Sequence, residues 1–330
     1  MKKDIQVKDG RPGRYSRFLW HLGQFVARNI YNPKLNIKLE NWDLLEKTPA
    51  PFLLVGNHVT NFDPVITSSN QSRLIHWVAN DAVFRHPALR WAFRHIQVIP
   101  KTKGMSDLDT VRIMHKKVRE GGIVGLYPEG QTSWDGVNQP MVPATPKLVK
   151  LLKVPVVAVV IKGGYISQPR WTWTKDLRKS RVVLEARILI QKDEIKKLSL
   201  HEIEERLNTG LYNDDFQFQR ENPVKLKSEK RAETLELFTY ICPKCNTMDA
   251  LKSGGNDVKC QSCGWEFSID EYGEFPGDSD FPFKSLHQWN LWQRKETTRL
   301  TAEYLAQENP EQPLLANEKL TILTGKGLVP

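Results

Sequence analysis

The sequence predicts an α/β fold, in which a mixed, largely parallel sheet is flanked by helices, together with a small cysteine-rich module. Short apolar runs alternate with helical patterns through the first two thirds of the 330 residues, which is typical of strands joined by helices. All four cysteines lie within residues 242–263. With 40% apolar and 26% charged residues, the composition is that of a globular protein.

Five apolar segments predict the strands of the sheet. Each is short and is bounded by turn or helix signals, as expected of buried strands. In chain order, the segments are Phe52–Val55, Leu74–Val78, Ile123–Leu126, Val154–Ile161 and Arg181–Ile190.

Two helix signals support this alternation. Ser106 is a candidate N-cap for a helix over Ser106–Glu120, and Gly121 and Gly122 end it. The sequence Ser199-Leu200-His201-Glu202 has the form of a capping box, which predicts the start of a further helix.

The N-terminal region predicts a basic amphipathic helix. Apolar and aromatic residues recur at helical spacing among basic residues over Arg14–Ile30, and residues 1–31 contain seven Lys or Arg against two Asp. Two interpretations stay open. The helix packs on the core, or it lies in the head-group region of an anionic membrane, for which Trp and Phe beside basic residues are typical.

Charge and hydropathy restrict the possible partners. The longest apolar run, Val154–Ile161, is too short for a membrane span of about 20 residues, and Met1–Pro12 has no signal-peptide pattern. The net charge is +10, although residues 264–330 contain six bases and eleven acids. An anionic partner is therefore expected for the rest of the chain: nucleic acid, an anionic lipid surface or a phosphorylated substrate.

A histidine and an aspartate follow the first of the predicted strands. The segment Gly56–Pro64 places His58 and Asp63 in a tight loop between a strand and a helix, where α/β sheets bind ligands. Asp63 followed by Pro64 resembles an N-cap and a first helical position. Such a loop brings a carboxylate to one ring nitrogen and leaves the other free to take a proton, although an ordinary helix cap explains the same spacing.

A second polar loop, Tyr127–Gly136, follows the strand Ile123–Leu126. A carboxylate followed by glycine at this edge, as in Glu129-Gly130, can contact a polar ligand through both its side chain and backbone amides. A simple surface turn is the alternative.

These motifs resemble those of the glycerolipid acyltransferases, which include the 1-acylglycerol-3-phosphate acyltransferases. The family's first motif has the form NHxSxxD, and Asn57, His58, Thr60 and Asp63 occupy it, with threonine in place of serine. The resemblance extends over about residues 35–190.

The other motifs of the family match in part. The third resembles FPEGTRS, and Pro128, Glu129, Gly130 and Ser133 occupy it, whereas Thr132 stands in place of the arginine. Lys101 stands where the second motif has an arginine, and Val154-Pro155-Val156-Val157 matches the fourth.

The resemblance implies transfer of an acyl group from acyl-CoA or acyl-carrier protein to the hydroxyl of a lysophospholipid, with lysophosphatidate (1-acylglycerol-3-phosphate) as the first candidate. His58 is then the catalytic base and Asp63 holds its tautomer. Asn57, Thr60, Glu129 and Gly130 are candidate substrate-binding residues.

The acceptor is less defined, because Thr132 lacks the charge with which the family's arginine contacts the acceptor phosphate. Lys101 and Lys103 are candidate phosphate ligands in its place. Acylation of a different amphiphile is one alternative, and a binding protein with an inactive acyltransferase domain is another.

The cysteine spacing predicts a structural Zn²⁺ site, in preference to the alternatives of two disulfides or an iron–sulfur centre. Two CxxC pairs, Cys242/Cys245 and Cys260/Cys263, are separated by 14 residues, as in zinc ribbons. Four thiolates leave no open coordination position, so a catalytic role for the metal is not expected. The acidic segment after the module argues against nucleic acid as a partner.

The predicted organisation follows the chain. A basic helical region (1–31) precedes the catalytic domain (32–208), a polar linker (209–241), the zinc ribbon (242–267) and an acidic, aromatic segment with a helix (268–330). A cytoplasmic protein bound peripherally to the inner face of the cell membrane is expected, since zinc-binding thiols need a reducing compartment.

Overall fold

The structure is a computed structural model that describes residues 16–102, 108–172, 177–276 and 281–307, together with two short strands near the C-terminus. The described helices are α1 (Arg17–Leu35), α2 (Trp42–Lys47), α3 (Asp63–Ser69), α4 (Pro87–His95), α5 (Leu108–Arg119), α6 (Thr145–Leu152), α7 (Gly164–Ser167), α8 (Leu200–Leu211), α9 (Asp215–Glu221) and α10 (Leu286–Leu305). Two short 3₁₀ helices span Asp81–Phe84 and Leu235–Leu237.

The strands fall into one large sheet and two small ones. The large sheet contains β1 (Lys38–Glu40), β2 (Leu53–Gly56), β3 (Ile75–Asn80), β4 (Ile99–Lys101), β5 (Ile123–Leu126), β6 (Val156–Lys162) and β7 (Val183–Ile190). The small sheets contain β8 (Leu251–Gly254), β9 (Asp257–Cys260) and β10 (Glu266–Ser268), and β11 (Ile322–Thr324) with β12 (Gly327–Val329).

The large sheet has the order β1-β7-β6-β2-β5-β3-β4. Strands β6, β2, β5, β3 and β4 are mutually parallel, whereas β7 is antiparallel to β6 and pairs with β1 in parallel. The predicted mixed, largely parallel sheet is therefore confirmed. The five predicted strands correspond to β2, β3, β5, β6 and β7, with ends shifted by up to two residues.

Both faces of the central strands are buried. Along β2, Leu53 and Val55 pack in one apolar cluster and Leu54 in the other, as the two-residue period of a strand requires. This burial explains why the central strands are unbroken apolar runs in the sequence.

The two predicted helix signals have different outcomes. Ser199 and Glu202 form the expected capping box at the start of α8, so that prediction is confirmed. The helix predicted over Ser106–Glu120 is α5, but Ser106 lies outside the described residues, as does the N-terminal part of the predicted basic helix.

Helix α1 has apolar residues on two faces. Trp20, Ala27 and Leu35 are buried, and the side chains of Gln24 and Arg28 donate to backbone carbonyls at the end of α3 and just beyond it. The opposite face exposes five large apolar side chains. They are Phe18, Leu22, Phe25, Val26 and Ile30.

The segment 209–241, predicted as a polar linker, contains α9 and a 3₁₀ helix. It also buries Phe216, Leu226, Ala232 and Leu235 in the same apolar cluster as the sheet. The segment is therefore packed, because an amphipathic pattern is hidden among its many charged residues.

The cysteine-rich module packs directly on the part of the chain that forms the large sheet. Its aromatic residues and the first turns of α10 join the apolar cluster that includes Leu35 and Phe52 of the sheet region. The shared members from the module and α10 are Cys242, Leu251, Val258, Cys260, Trp265, Phe267, Leu286 and Trp289.

Candidate active site

The candidate site lies where the adjacent parallel strands β2 and β5 end. The loop after β2 contains His58, and the loop after β5 contains Glu129. Two hydrogen bonds join them: His58 N donates to Glu129 Oε1 (3.0 Å), and Ser133 N donates to the His58 carbonyl (2.7 Å). The two predicted motifs therefore form one site at the carboxyl edge of the sheet.

His58 and Asp63 form the predicted pair. The His58 Nδ1 atom lies 2.8 Å from Asp63 Oδ2, with the histidine side chain 18% exposed and the aspartate fully buried. When Nδ1 carries the proton and donates a hydrogen bond to the carboxylate, Nε2 is left as the acceptor. Among the described residues Nε2 has no hydrogen-bond partner, so it is available to a substrate hydroxyl.

The loop backbone fixes Asp63 in place. Its Oδ2 atom also accepts from the backbone N–H of Val59 (2.7 Å) and Thr60 (2.9 Å), and its Oδ1 atom accepts from the Thr60 hydroxyl. The helix begins at Asp63 itself, one residue earlier than an N-cap at this position predicts. Its side chain turns back into the preceding loop, which orients the imidazole.

A stack of aromatic rings supports the imidazole. His58 stacks on Tyr127 with ring centroids 4.3 Å apart, and Tyr127 stacks on Trp77 at 5.0 Å. Gly125 makes room for Trp77, because a Cβ atom at position 125 would lie 2.6 Å from the indole ring. The stack holds the ring plane of His58 by packing, in addition to the hydrogen bond from Nδ1.

Glu129 is a buried brace between the two loops. Its carboxylate accepts from the backbone N–H of His58 and Gln139 and from the Asn138 amide, at 3.0, 2.6 and 3.1 Å. Burial raises the pKa of Glu129 to about 7, against the lowering effect of these donors. Its oxygens are occupied by protein groups, so its observed role is to hold the His58 backbone.

The remaining predicted contact residues of the two motifs also have structural partners. The Asn57 amide donates to the Ile161 carbonyl (2.8 Å) and accepts from the Ile161 N–H (2.7 Å), which extends the pairing of β2 with β6. The Thr60 hydroxyl is used by Asp63, and Gly130 adopts a positive φ of 66° in the turn. Direct contact of these residues with a substrate stays a prediction.

Of the two predicted phosphate ligands, Lys101 is described, and it lies apart from the site centre. Lys101 ends the edge strand β4, three strands from β2, and its Nζ atom lies 3.4 Å from the Thr102 carbonyl. Lys103 lies outside the described residues. The part that each plays in binding an acceptor stays a prediction.

An arginine absent from the sequence-based prediction lies against the second loop. Arg170 stacks its guanidinium over Trp134 at 3.9 Å from the ring centroid, and its Nη1 atom donates to the Thr132 carbonyl (2.8 Å). No motif marks Arg170. The signal in the sequence is only a basic residue between Pro169 and Trp171 after the strand β6.

A second set of missed residues connects the same loop to α10. The buried Asp135 carboxylate accepts from His287 Nδ1 (2.9 Å) and from the Asn290 amide (2.7 Å). Burial would raise the pKa of Asp135, but these hydrogen bonds hold it below its usual value, and the same contact raises the pKa of His287. The C-terminal helix therefore anchors the loop after β5.

The four cysteines converge as predicted. Their sulfur atoms lie within 4.8 Å of one another, with Cys242 to Cys263 at 3.8 Å and Cys245 to Cys260 at 3.7 Å. Tetrahedral zinc with Zn–S bonds of about 2.3 Å requires sulfur–sulfur separations of about 3.8 Å, so this donor set fits Zn²⁺.

The two cysteine turns are equivalent. In each, the residue four positions after the first cysteine donates its backbone N–H to the carbonyl oxygen of that cysteine. This residue has a positive φ: 57° at Asn246 and 76° at Gly264. Asparagine and glycine are the residues that adopt this conformation at least cost.

Comparisons with known proteins agree with this geometry. Residues 36–162 match the protein family described as Acyltransferase. The fold is similar to the crystal structure of the 1-acyl-sn-glycerophosphate (LPA) acyltransferase PlsC from Thermotoga maritima, with a TM-score of 0.51 and 16% identity over 64% of this chain and 80% of that chain. No curated protein matches the chain in sequence.

These findings confirm the predicted family resemblance and the predicted fold class. The family match includes His58, Asp63 and Glu129, whereas the cysteine module and α10 lie beyond it. At 16% identity, the structural likeness concerns the fold.

Proposed function

We propose that the chain, whose residues 36–162 match the acyltransferase family, transfers a fatty acyl group from acyl-CoA or acyl-carrier protein to the hydroxyl of a lysophospholipid. The first candidate for the acceptor is 1-acylglycerol-3-phosphate. The observation on which this proposal depends is the His58–Asp63 pair, with His58 Nε2 unpaired among the described residues at the carboxyl edge of the sheet.

The proposed reaction needs no covalent enzyme intermediate. His58 Nε2 takes the proton of the acceptor hydroxyl while that oxygen attacks the thioester carbonyl, and Asp63 stabilises the imidazolium that forms. The tetrahedral intermediate then breaks its carbon–sulfur bond. The thiolate leaves and takes the proton from His58, which restores the neutral imidazole and releases an ester and a thiol.

The first experiment tests the base. Purified protein is incubated with radiolabelled acyl-CoA and a mixture of lysophospholipids, and the lipid products are separated and counted. We expect His58→Ala to lower the rate of acyl transfer by about 10²- to 10⁴-fold. His201→Ala, which alters an exposed histidine of α8, is the matched control and should retain wild-type activity.

Two outcomes would contradict this proposal. One is a wild-type protein that acylates none of the lipids offered with either type of donor. The other is a His58→Ala variant as active as the wild type, which would mean that the imidazole is not the base.

The exposed face of α1 supports a peripheral membrane location. Phe18 and Phe25 are 73% and 68% exposed, and such aromatic side chains insert readily into the interface of a bilayer. The described helices contain no candidate for a membrane span. We propose that this face binds a membrane with anionic lipid, on the cytoplasmic side.

Helix α4 extends this surface. The Ser16 N–H donates to the His95 carbonyl (3.0 Å), so the start of α1 lies beside the end of α4. Helix α4 exposes Leu89 and Trp91, and the exposed Arg85 and Arg90 provide positive charge. The other end of α1 contacts the loop that holds His58, since Tyr31 stacks on Phe62 with ring centroids 5.1 Å apart.

Vesicle sedimentation tests the membrane surface. We expect the protein to bind vesicles of phosphatidylcholine with phosphatidylglycerol more strongly than pure phosphatidylcholine, and less strongly at high salt. The double variant Phe18→Ser/Phe25→Ser should bind about 10-fold or more weakly, since burial of each ring contributes about 1.5–3 kcal/mol. Leu305→Ser, which alters a 74% exposed residue of α10, is the control. Equal binding of the double variant and the wild type would contradict the proposal.

A structural zinc ion is the proposed occupant of the four-cysteine site. The thiolates of Cys242, Cys245, Cys260 and Cys263 would hold it and would stabilise the module, since a closed site of this kind has no open position for chemistry.

A further inference from the structure

The loop after β5 has no positive charge of its own beside His58. Thr132 is buried, 7% exposed, and neutral, and no residue from Tyr127 to Gly136 is basic. A phosphorylated acceptor that brings its hydroxyl to His58 therefore needs a cation from another part of the chain.

Arg170 is placed to provide that charge. It follows α7, and its Nη1 atom reaches the Thr132 carbonyl at 2.8 Å. The next residue, Ser133, donates its N–H to the His58 carbonyl at 2.7 Å. The peptide group between Thr132 and Ser133 thus links the guanidinium to the His58 backbone: its carbonyl accepts from Arg170, and its N–H donates to the His58 carbonyl.

Two of the three guanidinium nitrogens of Arg170 make no hydrogen bond to the described residues. Its Nη1 atom contacts the Thr132 carbonyl and lies 3.4 Å from the Gln131 side-chain oxygen, but Nε and Nη2 donate to no described residue. These two nitrogens carry three N–H groups on the edge of the fork that binds phosphate in a bidentate manner.

The charge of Arg170 is also uncompensated. No carboxylate of the described residues lies within salt-bridge distance of it, and partial burial lowers its pKa while leaving it cationic. Stacking on Trp134 holds the plane of the group. A partly desolvated, oriented cation without a counterion favours an anionic ligand.

We infer that Arg170 recognises the phosphate of the acyl acceptor and so determines which lipids the enzyme uses. The inference rests on the proposed function, because it concerns the acceptor of the same reaction. It assigns to an arginine about 40 residues further along the chain the charge that Thr132 cannot supply. The class of ligand is a lipid with a phosphate close to the attacking hydroxyl.

The experiment compares two acceptors that differ only in the phosphate: 1-acylglycerol-3-phosphate and the corresponding monoacylglycerol. KM and kcat are measured for the wild type, Arg170→Gln, Arg170→Lys and the control Arg112→Gln, an exposed residue of α5. We expect Arg170→Gln to raise KM for the phosphorylated acceptor about 10- to 100-fold, the loss typical of a charged hydrogen bond, and to leave the neutral acceptor nearly unchanged. The KM of Arg170→Lys for the phosphorylated acceptor should lie between those of the wild type and Arg170→Gln, because lysine keeps the charge but not the forked geometry.

If the wild-type protein uses only the phosphorylated acceptor, a second measurement replaces the comparison of acceptors. Glycerol 3-phosphate should inhibit the wild type in competition with the acceptor, and Arg170→Gln should raise its inhibition constant by a similar factor. The melting temperature of each variant separates a loss of folding from a loss of recognition.

The outcomes distinguish the inference from the proposed function. An unchanged inhibition constant in Arg170→Gln, or an equal loss with both acceptors, would make Arg170 a brace of the loop and overturn the inference while the acyltransferase proposal stands. A wild-type protein without acyl transfer to any acceptor, as in the preceding experiment, would instead overturn the proposed function.

Discussion

The loops after β2 and β5 occupy equivalent positions on adjacent parallel strands, yet they are held in different ways. The β2 loop is largely self-contained: His58 and Thr60 bind Asp63 within six residues, and the Val59 amide binds it too. The β5 loop depends on residues far along the chain. Arg170 contacts its Thr132, and His287 and Asn290 of α10 bind its Asp135.

This difference separates the loop that would carry out proton transfer from the loop that would shape the acceptor site. The contacts with Asp63 that orient the imidazole come from within the β2 loop, although Glu129 and Tyr127 also hold the backbone and ring of His58. The loop that would shape the acceptor site is fixed by elements that lie outside the family match, including the helix that follows the cysteine module. Changes to the first loop should therefore act on kcat, and changes to the supports of the second should act through stability and acceptor binding.

The largest expected effect concerns the self-contained loop. Asp63→Asn should lower kcat by about 10²- to 10⁴-fold, because a neutral amide lacks the negative charge that stabilises the imidazolium. The melting temperature should fall by only a few degrees, since the amide retains one acceptor oxygen. Steady-state kinetics and thermal unfolding measure the two effects.

Asp43→Asn is the matched control for Asp63→Asn, because Asp43 is an exposed residue of α2 paired with Lys47. If Asp63→Asn lost stability and activity in proportion, the loop would be a folding element and the comparison would fail.

Metal removal should act mainly on the β5 loop. A strong zinc chelator, or Cys260→Ser, should lower the melting temperature by about 10 °C or more, since structural zinc contributes several kcal/mol to folding. Activity should decline with it, because loosening of the module frees α10 and its contacts with Asp135. Differential scanning fluorimetry and metal analysis of the purified protein measure both.

Ser262→Ala changes a residue between two of the ligands without removing a thiolate and serves as the control. Full activity and an unchanged melting temperature in metal-free protein would show that the β5 loop does not depend on the module.

The smallest expected effect is a pH dependence of the contact between α10 and the loop. The folded-state pKa of His287 is raised by its hydrogen bond to Asp135. Its stabilisation is therefore fully present below the unfolded pKa of about 6.5 and is lost as pH rises through the higher folded value. The difference in melting temperature between the wild type and His287→Gln should be largest near pH 5.5 and small near pH 9.

Asp214 also raises the pKa of His287, and Asp214→Asn distinguishes its share from that of Asp135. His201→Gln, an exposed substitution, should show no such pH trend. A constant difference across the pH range would mean that the contact does not depend on the charge of His287.

The sequence predicted the parts of the molecule in which local pattern decides structure. Buried strands appear as apolar runs, the Ser199 capping box depends on four consecutive residues, and the cysteine turns are marked by their spacing. The His58–Asp63 pair belongs to this class, because the carboxylate and the imidazole are only five positions apart.

The structural features that were not predicted depend on contacts that no local sequence pattern encodes. Asp135 and His287 are 152 residues apart, and the partners of Glu129 belong to the loop after β2 and to the segment 138–139. The segment 209–241 reads as polar because its few buried residues, such as Phe216 and Leu226, are spread among charged ones.

The apolar cluster that joins the sheet to the cysteine module has a consequence for how the chain can be divided. Trp289 is fully buried and shares that cluster with Phe52 and Leu35, so a fragment that stops before Cys242 would expose a wide apolar surface to water. Such a truncated chain should aggregate, and the intact chain should melt in a single calorimetric transition. The module would then be inherited together with the sheet region as one cooperative unit, unlike an appended domain that can be exchanged.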